Sequence, residues 1–107
     1  MVQSEVIDII KKYIHNLRQG GIKIQFAYLY GSYARNENSE SSDIDVLLIS
    51  DDFDTDDDVI LSKPWSPKYR NDLRIEPNAI STERFRTDDV SPVIELAKKE
   101  GIRIPAN

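Results

Sequence analysis

The chain has 107 residues, enough for one small domain, and its 39% hydrophobic and 31% charged residues are the balance of an ordinary soluble protein. A net charge of −5 argues against a free-standing nucleic-acid binder, whose affinity would come from a basic surface. The absence of cysteine excludes disulfides, thiolate catalysis and zinc–cysteine sites and suits a reducing cytoplasm, while a single histidine, His15, cannot build a multi-histidine metal site.

Val6, Ile9, Ile10, Tyr13, Ile14 and Leu17 follow three- and four-residue spacing, which predicts an amphipathic first helix with His15 on its surface or at its boundary. Gly20 and Gly21 supply its stop. Ile22, Ile24, Phe26, Tyr28 and Tyr30 then alternate with smaller or polar residues, the pattern of a strand. Tyr33 to Ser42 is polar and predicts a short helix and a turn, whereas Ile44 to Ile49 is a nearly continuous apolar strand, covered on both faces as central strands are.

Six aspartates between Asp51 and Asp58 carry much of the negative charge, and without the glycine and glutamate of a calcium loop they read as a solvated segment. A short helix is expected at Asp54 to Leu61, then a loop at Lys63-Pro64-Trp65-Ser66-Pro67. Asp72 to Ile80 predicts a third strand, and Pro77 either assigns it to an edge or ends its regular pairing there. Ser91-Pro92 is a helix start, and that helix runs to Gly101, with Ile102 and Ile104 packing as a terminal extension. No run approaches the roughly 20 apolar residues that span a bilayer, and the N-terminus lacks a signal-peptide pattern. The expectation is one α/β domain over residues 1–107.

The chemistry concentrates in two places. Gly31-Ser32 ends the first strand, where a residue without a side chain lets backbone amides approach a phosphate. Ten residues later Asp43-Ile44-Asp45 opens the second strand. Two carboxylates at i and i+2 point to the same side of a sheet, and burying them at the head of an apolar strand is costly without a cation or donors. Hard oxygen ligands facing a phosphate cradle are what Mg²⁺-dependent phosphoryl or nucleotidyl transfer requires. A third carboxylate is sought on the third strand. Glu76, which breaks the apolar register midway, is preferred over Asp72, and the set is expected to converge within one coordination sphere. The bland reading pairs Glu76 with Arg74 or Arg84 at the surface. Arg35, Lys63, Lys68 and Arg70 are candidates to neutralise a triphosphate, and Trp65 and Tyr69 either stack on a base or pack over the sheet.

Gly31-Ser32-x₁₀-Asp43-x-Asp45, with Ala34-Arg35 in the spacer and a carboxylate on the following strand, resembles the DNA polymerase β-like nucleotidyltransferase superfamily, and the short length resembles its minimal nucleotidyltransferase branch. The resemblance spans about Phe26 to Ile80. It implies an α/β (α+β) fold, a small mixed sheet flanked by helices. It also implies catalysis by Asp43, Asp45 and Glu76 holding two Mg²⁺ ions, with ATP as donor bound by Gly31, Ser32 and Arg35. The implied activity is transfer of AMP to a hydroxyl. The implied partner is a small helical HEPN-type toxin, with this chain as antitoxin, either by modifying the toxin or by contact alone; a homo-oligomer is the other assembly considered. Many relatives have glycine after the spacer arginine. Asn36 stands there instead, the non-glycine residue that best tolerates positive φ.

Overall fold

The computed structural model describes residues 1–106. The order is α1 (Gln3–Gln19), β1 (Phe26–Tyr30), β2 (Ile44–Ile49), α2 (Asp58–Ser62), β3 (Ile75–Ile80), α3 (Thr82–Thr87), α4 (Pro92–Glu100) and β4 (Ile102–Pro105), with 3₁₀ turns at Asp51–Phe53 and Lys63–Trp65. The strands form one sheet in the order β3-β2-β1-β4. β1 is antiparallel to both β2 and β4, and β2 is parallel to β3, so the sheet is mixed.

α1 forms where the apolar spacing predicts it and buries Val6, Ile10, Tyr13, Ile14 and Leu17. These pack against Ala27, Leu29, Ile44, Val46, Leu48 and Ile75 on one face of the sheet. Each such burial contributes about 1.5–3 kcal/mol relative to exposure. The helix ends through its glycines. Gly21 takes φ +96°, its N–H bonds the Arg18 carbonyl, and the Ile22 N–H reaches back to Leu17 at 3.0 Å. That is the Schellman arrangement, closed by contact between Ile22 and the core.

On the opposite face, Tyr30, Leu47, Ile49 and Ile80 pack against Ile94 and Ala97 of α4. β2 is therefore covered on both sides, as its continuous apolar run requires. It pairs with β1 on one side and with β3 on the other. β3 is an edge strand, in keeping with Pro77.

Several boundaries differ from the sequence expectation. No helix forms between residues 33 and 42; residues 32–36 make a turn instead, since Glu37 N–H closes onto the Ser32 carbonyl and the chain must return at once to β2. β3 begins at Ile75 rather than Asp72, because the Asp72 carboxylate accepts the Arg74 N–H in a tight turn. Ile102 and Ile104 lie in β4, which pairs with β1, and α3 is an additional helix started by Ser81 accepting from the Arg84 N–H. Ser91 gives α4 no side-chain cap; Asp88 does the adjacent work, accepting from the Val90 and Ser91 amides. The aspartate-rich segment serves local structure: Asp57 caps α2, and Asp52 accepts the Lys23 N–H.

Candidate active site

The site is assembled where β1 ends, β2 begins and β3 begins. Gly31 follows the last residue of β1 with φ +79°. Residues 32–36 then turn tightly, Arg35 N–H bonding the Gly31 carbonyl and Asn36 N–H the Tyr33 carbonyl. Asn36 has φ +56°, the left-handed value that its position in the spacer predicted. Ser32 is half-buried within this turn. No helix starts here, so the groups that could meet an anion at this point are turn amides and the Ser32 hydroxyl.

Asp43 is exposed just before β2, and Asp45 is half-buried as its second residue. Strand alternation puts Asp45 on the α4 face, with Leu47 and Ile49, while Ile44, Val46 and Leu48 face α1. In register, Asp45 stands opposite Tyr30 of β1 and beside Glu76 of the parallel β3. The strand pairing thus brings two carboxylates from distant parts of the chain side by side. Aligned neighbours on paired strands lie roughly 5 Å apart, close enough to share one ligand.

The electrostatics follow from this placement. Burial pushes the Asp45 carboxyl up, and the nearby charges of Glu76 and then Asp43 push it further; Arg35 acts in the opposite direction. The Tyr30 hydroxyl is also raised, first by burial and more weakly by Asp45 and Glu76, while the hydrogen bond from Asn78 opposes the shift. The Asn78 amide donates to the Tyr30 hydroxyl at 2.7 Å.

Asp72 is separately engaged. Its Oδ1 accepts from Arg74 Nε at 3.0 Å and its Oδ2 from Nη2 at 2.6 Å, a two-pronged pair that holds its carboxyl below the usual range. Arg84 pairs with Asp88. Neither arginine is therefore matched to Glu76, which is exposed on β3 and joins no ion pair among the described residues.

Arg35 lies at the rim, Nη1 to Glu100 Oε1 at 2.7 Å and Nε to Glu37 Oε2 at 3.1 Å. The other basic candidates have structural partners. Lys63 donates to the Gly20 carbonyl at 2.9 Å, at the C-terminal end of α1. Arg70 stacks on Trp65 and donates to the Ile75 carbonyl. Lys68 lies over the Tyr69 ring, which packs against the α1 core. His15 is exposed.

Among the described residues no three His, Asp or Glu side chains close into a metal-binding group. The three carboxylates thus do not close into one coordination sphere here, although Asp43 and Glu76 both lie near enough to act on Asp45. The donor set itself fits a divalent cation. Its oxygens are hard, and the repulsion from Glu76 and Asp43 that adds to burial in lifting Asp45 is one a cation would relieve.

Tyr30, Asn78 and Glu100 were not singled out by sequence reasoning. The signal for Asn78 was its position two residues beyond Glu76 on the same strand face.

Known proteins resemble this chain in sequence and in fold. The family model "Polymerase beta, Nucleotidyltransferase" matches residues 8–87. "Putative protein adenylyltransferase MJ0126" of Methanocaldococcus jannaschii is 42% identical over 45 residues, and "Putative protein adenylyltransferase MJ0128" of the same organism is 44% identical over 45. Each match covers 42% of this chain and 45% of the relative, less than half the length of either. The crystal structure of a putative nucleotidyltransferase from Sulfolobus solfataricus superposes with a TM-score of 0.64 at 15% identity, covering 94% of this chain and 80% of that one, a likeness of fold. The chain belongs to the polymerase β nucleotidyltransferase family, in its minimal nucleotidyltransferase branch.

Proposed function

We propose that this chain, as a single nucleotidyltransferase domain, transfers AMP from ATP to a hydroxyl of a protein acceptor. The observation that carries the reading is the register of Asp45 beside Glu76, with the Gly31 turn lying directly against the Asp45 carboxylate. Protein acceptors are suggested by the names of the adenylyltransferase relatives.

Asp43, Asp45 and Glu76 hold Mg²⁺ in this reading. The bound ions supply charge stabilisation at the triphosphate and lower the pKa of the acceptor hydroxyl. The turn amides and Ser32 hydroxyl bind the β- and γ-phosphates, and Arg35 turns from Glu100 to neutralise them. The acceptor oxygen forms a bond to the α-phosphorus as the bond from that phosphorus to the bridging oxygen breaks. Pyrophosphate leaves, and the acceptor proton passes to Glu76 or to solvent. The acceptor surface comes from a partner, a small helical HEPN-type protein that this chain restrains as an antitoxin in the cytoplasm. No helix among the described residues is long and apolar enough to cross a membrane.

The test incubates the chain with ATP labelled at the α-phosphate, Mg²⁺ and the protein encoded beside it. Label should pass to the partner with the native chain and not with Asp43→Asn combined with Asp45→Asn. Should the double variant restrain the partner as well as the native chain does, without label transfer, blocking by contact replaces catalysis as the account.

A further inference from the structure

One hydrogen bond crosses the whole width of the site. Tyr30 is on β1 and Asn78 on β3, with β2 lying between them. Adjacent strands are about 4.8 Å apart, so this gap of about 10 Å is one that a tyrosine spans and a short amide closes. The bond is 2.7 Å long. Tyr30 is in register with Asp45, and Asn78 with Leu47, so the bond runs diagonally over β2 between those two side chains. On one side of it lie Asp45 and Glu76; on the other lie Leu47 and Ile49, fully buried against α4.

The hydroxyl is not needed for packing. Tyr30 is 7% exposed within an apolar cluster that a phenylalanine ring would fill equally well. The hydroxyl oxygen accepts from Asn78, which leaves its own proton free to donate. The acidic groups facing it are Asp45, opposite in register, and Glu76, two residues before Asn78 on the same face of β3. Groups held behind metal ligands orient them, and loss of such a group typically costs about 10–100-fold in metal affinity.

We propose that Tyr30 and Asn78 form a strap across β2 that positions the Asp45 and Glu76 carboxylates for a divalent cation and seals the apolar core from the site. This inference rests on the nucleotidyltransferase reading of those carboxylates. Tyr30 and Asn78 are positioning residues; neither touches the reacting atoms.

Calorimetric titration of the full chain with Mn²⁺ tests it, comparing the native protein with Tyr30→Phe, Asn78→Ala, their combination, and Asp45→Asn as the control that loses a ligand. Asn78 is exposed on an edge strand, so its truncation reads the strap without disturbing the core. Tyr30→Phe and Asn78→Ala should each bind Mn²⁺ about tenfold more weakly. The combination should be no weaker than Tyr30→Phe alone, because the two act as one unit. In turnover assays kcat should fall while KM for ATP holds. Mn²⁺ affinities within twofold of native in both single variants would overturn the strap and leave the nucleotidyltransferase reading intact. Losses that multiply in the combination would also overturn it. A native chain that takes up no Mn²⁺ at all would overturn both.

Discussion

Gly31 and Asp45 are in such close contact that a Cβ placed on the glycine would stand 2.3 Å from Asp45 Oδ2. The same glycine has φ +79°, a conformation L-residues rarely adopt. Gly31→Ala therefore meets two obstacles, strain in the turn and displacement of the carboxylate. It should cost about 1–2 kcal/mol of stability in urea unfolding. It should also weaken Mn²⁺ binding, which ordinary destabilisation of a folded chain would leave alone. A fully stable Gly31→Ala protein with native metal affinity would contradict the contact.

A second expectation concerns pH. The Asp45 carboxyl is raised above its ordinary value of 3.8 in the folded chain. Folded protein thus takes up this proton at higher pH than unfolded protein does. Asp45 contributes most favourably at low pH, and its contribution declines as pH rises from about 3.8 through the raised folded value. At neutral pH without metal, Asp45→Asn should melt at a higher temperature than the native chain. Adding Mg²⁺ should raise the native melting temperature and leave the variant nearly unmoved, a reversal that differential scanning calorimetry can record.

Asp72 shows the opposite sign. Its carboxyl is lowered chiefly by hydrogen bonds from the Arg74 side chain, so it stabilises the fold above the ordinary value of 3.8 and loses that contribution as pH falls through the lowered folded value. Asp72→Ala should destabilise at pH 7 by about 1–2 kcal/mol in urea unfolding, through loss of paired hydrogen bonds to a charged group. Its effect on label transfer should be small beside that of Glu76→Gln.

In the proposed reading, the Arg35–Glu100 pair competes with the triphosphate for the guanidinium. Glu100→Gln should free Arg35 and tighten ATP binding by a few-fold, whereas Arg35→Ala should weaken it, both read by equilibrium dialysis at low salt. Equal ATP affinity in all three proteins would remove Arg35 from the phosphate site.

Ser50 gives a prediction remote from the chemistry. Its side chain is fully buried, donating to the Lys23 carbonyl at 2.8 Å and accepting the Asp52 N–H at 3.1 Å. Ser50→Ala leaves two backbone groups without that partner and should cost about 1–3 kcal/mol in urea unfolding while sparing ATP binding.

Much of the architecture was legible because its signals were strong and local. The three-four stripe of α1, the unbroken apolar run of β2 and the proline in β3 each require the environment they occupy. Glu76 was preferred over Asp72 because it interrupts the apolar register of its strand, and the pairing of β2 with β3 sets it beside Asp45. β4 was hidden by its length, four residues with only two apolar positions, and it becomes a strand through pairing with β1 rather than by propensity. α3 was hidden because none of its residues is fully buried, which leaves no apolar stripe to read. The Tyr30–Asn78 bond depends on a register between strands that are not neighbours, information that no local window holds.

The outer side of β3 has a consequence for how this chain meets others. Arg74 and Ile80 turn their carbonyls to β2, so the alternate residues Ile75 and Pro77 present their backbone outward. Pro77 has no amide to offer, and the outward Ile75 carbonyl is already taken by Arg70 at 3.1 Å. An extended peptide approaching this border would find its docking template missing at consecutive positions. The border next to the carboxylates thus resists fibre-like stacking of exposed strands. It can remain open to solvent without inviting edge-to-edge aggregation.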